Sequence, residues 1–457
     1  MAPKHHINGH APNLESYFNS KLHLEASVET AVTLLKRRQI HGPEQCALAT
    51  AHILSQVVVK SKWADVDQLL DRVYQVGRKL VDAQPQELVI GNIIRRVLGL
   101  IRDEAEEDRN ENANETGGDF VPDLRTAATT AAATSLSFSA SPTSAHAPIS
   151  SSLPRPSRQA SLVPASGSYQ SMFNLLSAAE PSPSVGGDAS STVSGASTPV
   201  HLASGQGHGS AVNFAGRHSA LRDEIVDGIE EIKDEIGQAD DQIAGFAEGQ
   251  IKPGDFVMVY APSRSVEKFL VKAALRRRYT LFLVNDNSPT HSSTGLQAVG
   301  ERYASLLKRL SAAKVNVIRV ANNAVASYIP RTSKIVLDAR AIAADGGVLV
   351  DSGGGRVARA AHAQGCTVLV VGGVYKVSPE SWTDPDAFVE WGDPGRLARF
   401  ADGAILDGIK IESAMTEYLP PGLIDIYVTN LGPHSKHYLE SVIADHYKNE
   451  DLELYGQ

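Results

Sequence analysis

Residues 334–379 read KIVLDARAIAADGGVLVDSGGGRVARAAHAQGCTVLVVGGVYKVSP. Lys334 to Asp338 is an apolar, partly β-branched run that predicts a strand, and Thr367 to Gly372 predicts a second one. Between them lie a Gly-rich turn carrying two acidic residues, Asp345 and Asp351, and a small-residue run, Gly355 to Gln364, that predicts a helix. The sum is one βαβ unit, with its loop at the place where α/β proteins hold their ligands. The stretch therefore has the position of an active site, and what decides its function is whether it carries the side chains a reaction needs.

Working outward, the same grammar holds from Lys252 onward. Strands are expected at Phe256 to Tyr260, Tyr279 to Val284, Val315 to Val320 and Ile424 to Thr429, with helices at Ser265 to Arg278, Gln297 to Ala313 and Lys436 to Tyr447. Alternation of this kind predicts an α/β fold, a Rossmann-like doubly wound and mostly parallel sheet, over residues 251–457. Upstream, residues 1–109 predict an N-terminal helical domain. Val28, Val32 and Leu35 share one helical face, Leu69, Val73 and Val76 another, and Ile93, Ile94, Val97, Leu98 and Ile101 a third. Gly42-Pro43 and Gln84-Pro85 separate its helices. Residues 110–217 are Ser, Ala, Pro and Gly-rich, too poor in apolar surface to offset the entropy of ordering, and are expected to be a disordered insertion. Ser161, in RPSRQAS, fits a basic-directed kinase there, as chance strings in such a linker also do. Within 218–250 the spacing of Leu221, Ile225, Ile229, Ile232 and Ile236 predicts an amphipathic helix that completes the N-terminal domain.

Composition narrows the function classes. The 457 residues carry a formal charge of −9, which opposes general affinity for nucleic acid. Cys46 and Cys366 stand far apart without a CxxC, so neither a disulfide framework nor a structural zinc is expected. The first residues lack an apolar signal core, and no run reaches the ~18–20 apolar residues of a spanning helix. A cytosolic protein without a membrane partner is expected.

The candidate sites each have a plainer reading. Gly346, Gly347, Gly353, Gly354 and Gly355 invite a phosphate cradle, yet neither GxxxxGK[ST] nor a GxGxxG directly after a strand is present, and turn formation is favoured. Asp338, Asp345 and Asp351 have the chemistry of an acid/base or metal cluster, but Asp345 fits a turn and Asp351 a helix start. Ser263 and Arg264 follow the first strand, where Arg264 can meet an anion, and their loop holds neither Cys nor His. His434 and His437 form an i, i+3 pair without a third ligand, which reads more simply as a helix start. Arg276, Arg277 and Arg278 complement a helix dipole before they serve an acidic partner. No cofactor is expected.

Three blocks now carry a resemblance: GDFVMVYAPSRSVEKFLVKAALRRR, the stretch quoted first, and YLPPGLIDIYVTNLGPHSKHYLESVIADHY. In this order they resemble the regulatory alpha, beta and delta subunits of the exchange factor for eukaryotic translation initiation factor 2. Tyr418 to Pro421 and the tail HYKNEDLEL favour the beta branch. The resemblance implies a non-catalytic subunit that pairs with delta and alpha regulatory subunits and with gamma and epsilon catalytic subunits. It implies binding to the alpha subunit of the initiation factor and a share in sensing its phosphorylation.

The family is similar to isomerases of ribose 1,5-bisphosphate and methylthioribose 1-phosphate, which use a cysteine after the first strand and an aspartate before the Gly-rich turn. Aligned on Asp345, Gly346 and Gly347, that aspartate falls on Arg340, and the loop at Ala261 and Pro262 has no cysteine. Arginine stays protonated at neutral pH, so it is no general acid. Ser263, Arg264, Arg340, Asp345, Gly346 and Gly347 are then candidates for a vestigial pocket or anion site, with no catalytic residue and no metal. The alternatives are a working sugar-phosphate isomerase and a metabolite sensor that keeps the pocket for binding.

Overall fold

The computed structural model describes residues 23–116, 209–285, 303–382, 384–397, 403 and 408–452. The expected insertion, with Ser161, falls largely outside them.

Among the described residues, five helices build the N-terminal layer: α1 (Leu24–Lys36), α2 (Pro43–Lys60), α3 (Val66–Ala83), α4 (Val89–Thr116) and α5 (Gly209–Gly245). Local chemistry marks their ends. Gly42 takes φ +85° ahead of Pro43 at the first helical position of α2, and the Asp65 carboxylate caps α3 by accepting from Val66 N at 2.7 Å. The apolar stripes meet in one core, where Val28, Leu35, Leu69, Val73, Ile93, Ile94, Val97 and Ile101 are buried. Leu221, Ile225, Ile229, Ile232 and Ile236 of α5 join the same core. Each such side chain contributes roughly 1.5–3 kcal/mol by leaving water. Helix α4 runs beyond Arg109 through the polar residues 110–116, which carry no apolar stripe to announce it, and α5 begins before His218, at Gly209.

The C-terminal layer is a seven-stranded sheet. Its strands are β1 (Phe256–Tyr260), β2 (Thr280–Asn285), β3 (Asn316–Ala321), β4 (Lys334–Asp338), β7 (Thr367–Val371), β9 (Ile426–Thr429) and β10 (Gly432–His434). They lie in the order β10-β9-β7-β4-β1-β2-β3, and every pair is parallel except β10 with β9. Successive residues of β1 serve opposite faces. Val257 and Val259 pack with α6 (Arg264–Ala274) and α7 (Ala304–Ala312), whereas Met258 and Tyr260 pack with α8 (Gly354–Ala363) and α9 (Leu439–His446). Burial on both faces explains why these strands read as continuous apolar runs. The doubly wound architecture is as expected.

The quoted stretch holds more than a βαβ unit. The Gly-rich turn between β4 and α8 is a hairpin of β5 (Ala341–Ile342) and β6 (Val348–Asp351), and β8 (Thr416–Leu419) extends it to a second, antiparallel sheet. Ala341, Ala343, Leu349 and Trp382 form a small core beneath it. Strands of two and four residues are too short for periodicity to separate them from a turn. Asp351 accordingly ends a strand instead of opening a helix.

Candidate functional site

The carboxyl ends of β1, β4 and β7 converge, as the crevice rule for open α/β sheets requires. After β1 the chain passes through Ala261 at φ +41°, a left-handed conformation unfavourable for a residue with a Cβ. Pro262 follows, and Ser263 then caps α6 by accepting from Val266 N at 3.4 Å. Asp338 ends β4. Beyond β7, Gly372 and Gly373 lead into Lys376, a buried lysine whose Nζ donates to Ala339 O at 2.8 Å and lies 3.3 Å from Asp338 Oδ1. Burial pushes the Asp338 carboxyl up from the ordinary carboxylate range, while Lys376 and a hydrogen bond from Ser263 pull it back.

Arg340 stands beside this pair in a network of its own. Its Nε donates to Asp351 Oδ1 at 2.9 Å, and its Nη1 lies 3.8 Å from Glu87 Oε1. Glu87 comes from the turn before α4 and also accepts from Gly42 N at 3.1 Å. Its side chain is buried, and burial raises its pKa against the pull of Arg340. Burial alone would lower the Arg340 pKa, but Asp351, Glu87 and Asp338 together raise it. The guanidinium is therefore charged at every physiological pH. It joins the hairpin to the helical layer.

Helix α4 closes the crevice from above. Asn92 Nδ2 donates to Tyr375 O at 3.1 Å, and Arg95, only 1% exposed, ion-pairs with Glu380 and donates to Leu452 O at 3.1 Å. Further out, Arg102 meets Asp451 at 2.9 Å and Arg96 meets Glu235 at 2.6 Å. The cover over the strand ends is thus polar and held by directional contacts, although Asn92 Oδ1, Arg95 Nε and Arg96 Nη1 are buried without a hydrogen-bond partner among the described residues.

The remaining candidates serve the fold locally. Asp345 Oδ1 accepts from Gly347 N at 2.8 Å, an Asx turn. Gly346 has φ +84°, and a Cβ on Gly347 would meet the Tyr418 ring at 2.4 Å. These three residues shape the hairpin tip, where Tyr418 and Tyr427 pack. Arg264 points outward, with Nη1 3.4 Å from Glu44 Oε1 and Nε 3.8 Å from Asp240 Oδ2. Among the described residues no cluster of three His, Cys, Asp or Glu has the spacing of a metal site. His434 stacks on Tyr438 with ring centroids 4.3 Å apart and shares a 3.1 Å hydrogen bond with Thr429 Oγ1.

The Gly353 to Gly355 cradle exists and is filled from within. Gly353 N and Gly355 N donate to Glu417 Oε1 at 2.6 and 2.8 Å, and Arg359 Nη2 lies 3.4 Å from Glu417 Oε2. A β8 carboxylate thus takes the donors an incoming phosphate would use. Lys376, Glu87 and Glu417 were not singled out by sequence reasoning. Lys376 follows β7 closely enough for the crevice rule to have found it, but Glu87 and Glu417 carry no such signal.

Chemically, the crevice holds charges in compensated sets. Arg340 releases no proton, and Asp338, Asp351 and Glu87 each face a cation. The arrangement suits a joint between layers better than proton transfer.

Comparison with known proteins gives consistent matches. The model of the Initiation factor 2 subunit family matches residues 39–435. The translation initiation factor eIF2B subunit beta of Schizosaccharomyces pombe is 27% identical over 437 residues, covering 94% of this chain and 98% of the relative. The crystal structure of eIF2B beta from Chaetomium thermophilum is 38% identical, covers 96% of this chain and 98% of that one, and superposes with a TM-score of 0.62. The tetrameric eIF2B-beta2-delta2 complex of the same organism matches at 36% identity over 95% of this chain and 100% of that one, with a TM-score of 0.61.

Proposed function

This chain belongs to the Initiation factor 2 subunit family, and from that premise we propose that it is the beta-type regulatory subunit of the guanine-nucleotide exchange factor acting on translation initiation factor 2. The observation that carries this reading is the near full-length match to eIF2B beta, in sequence and in structure. Its role is non-catalytic. Arg340 in the place of an acid, held by Asp351 and Glu87, and a cradle occupied by Glu417 both support that part.

Pairing with a delta-type subunit follows from the beta2-delta2 assembly of the Chaetomium relative. Association with alpha, gamma and epsilon subunits, work in the cytosol, and a share in sensing phosphorylation of the alpha subunit of factor 2 complete the proposal. Such a subunit acts by binding the two forms of its substrate with different free energies.

Native mass spectrometry of the tagged chain, purified from its own cells, tests this directly. A hetero-oligomer containing delta-type and catalytic subunits is the expected result, and a lone chain would overturn it. Incubation with ribose 1,5-bisphosphate or methylthioribose 1-phosphate should leave both unchanged. Turnover of either would restore the isomerase reading.

A further inference from the structure

The amino ends of β1, β2 and β3 start level, with Phe256 beside Thr280 and Thr280 beside Asn316, and Gly254 N donates to Arg278 O at 2.7 Å. Helices α6 and α7 pack on one face of these strands and finish at this end. Parallel strands stand about 4.8 Å apart, so Arg278 and Lys314, each two residues ahead of a paired position, come side by side. Lys272 and Arg276 add charge at the end of α6, and Lys308 and Arg309 near the end of α7, and all of these side chains are exposed. Among the described residues Arg276 meets Glu248 at 3.4 Å, while Lys272, Arg278, Lys308, Arg309 and Lys314 meet no carboxylate. Asp255, at the head of β1, is taken by Lys334 at 3.3 Å. The carbonyl ends of α6 and α7 carry only roughly half a negative charge each, so most of the cationic charge is left over. Between Lys272 and Arg276, Leu275 is 68% exposed. The face lies at the opposite end of the sheet from Asn285 and Tyr303, the limits of the described chain on either side of residues 286–302.

We infer that this face docks an acidic segment of a partner protein, with carboxylates set against Arg276, Arg278 and Lys314 and an apolar side chain against Leu275. An exposed leucine flanked by lysine and arginine has the make-up of a protein contact, an apolar centre inside a polar rim where arginine is favoured. Phosphates would leave that leucine unused. Phe269 of α6, Tyr279 ahead of β2 and Tyr303 ahead of α7 are buried, so they present no ring for the stacking on which single-stranded nucleic acid depends. A long run of phosphates would also meet the field of a chain of formal charge −9, whereas a short acidic segment places its charges only where the cations are. The cations come from two helices and two strand starts, a spread that suits an extended partner better than one oxyanion. Complementarity of this kind favours fast, salt-sensitive association.

Fluorescence anisotropy with the full chain tests the proposal, using fluorescein-labelled EELEEFEE as probe. Saturable binding that weakens with added salt is expected. Arg276→Glu with Arg278→Glu should weaken it by about tenfold or more, and Leu275→Ser, which changes no charge, by roughly threefold. These side chains are exposed, and an unchanged thermal-unfolding midpoint verifies that the fold is kept. Lys36→Glu with Arg37→Glu, an equal reversal at the exposed end of α1, should leave the affinity as it is. No saturable binding, no loss in the arginine pair or in Leu275→Ser, or an equal loss in the α1 pair would overturn the inference. So would equal binding of the neutral peptide QQLQQFQQ. Tighter binding of labelled oligouridylate, lost in the arginine pair, would overturn it in favour of nucleic acid. Displacement of the peptide by millimolar inorganic phosphate would overturn it in favour of a small anion.

Discussion

The core of the helical layer and the joint between that layer and the sheet are built from opposite materials. In the core, Ile93, Ile94, Val97 and Ile101 interlock with Ile225, Ile229 and Ile232, and no charge is involved. In the joint, the same helix α4 turns Asn92, Arg95 and Arg102 toward Tyr375, Glu380 and Asp451. One helix thus has two faces with two kinds of chemistry. Apolar packing is non-directional and holds a layer together; ion pairs and hydrogen bonds are directional and set how two layers sit on each other. Arg340 adds one more directional fastening, since it reaches both Asp351 and Glu87.

The most damaging way to break this contrast is to unpair the joint. Glu380→Ala leaves the Arg95 guanidinium buried without its counter-charge and should cost about 3–5 kcal/mol in urea unfolding. If the joint is a matched pair, Arg95→Met with Glu380→Leu should recover most of that loss. A double variant as weak as the single one would show that Arg95 acts through packing alone. On the core side, Ile93→Val removes one methyl group from a fully buried position and should cost about 0.5–1.5 kcal/mol by the same measurement.

Glu87 sharpens the comparison through pH. Its folded pKa is raised by burial, so the native state binds a proton more readily than the unfolded chain between the ordinary Glu value and the raised one. Its contribution to stability therefore falls as pH climbs through that window. Glu87→Gln should look best relative to the parent near pH 7 and worst near about pH 4, the ordinary Glu range; a difference independent of pH would contradict this. Arg264→Ala should be the mildest change, within roughly 1 kcal/mol, because its side chain is 67% exposed beside Glu44 and Asp240. Thermal unfolding would measure it.

Much of the fold was legible beforehand. The strands β1, β4 and β7 fall within a residue of their expected limits, and the stripes of α3, α4 and α5 are the buried ones, while in α1 Val28 and Leu35 are buried and Val32 is half-buried. Arg340 was also visible, as a residue type that chemistry excludes from acid catalysis. The β5-β6 hairpin was not, since Val348 to Val350 reads equally as part of a turn until β8 pairs with it. Nor was the filling of the glycine cradle. Glu417 lies 64 residues beyond Gly353, and nothing in TEYL marks it as a ligand for backbone amides.

The amino-acid sequence alone determined most of the elements and their buried faces, which follow from local periodicity and depend on neighbours three or four residues away, and it carried the family likeness in three motifs. Tertiary structure alone decided that Arg340 meets Glu87, that Arg95 meets Glu380 across 285 residues, and that Glu417 occupies the anion cradle. Charge pairing depends on which surfaces are brought within a few ångströms, and only the packing of the layers brings them there.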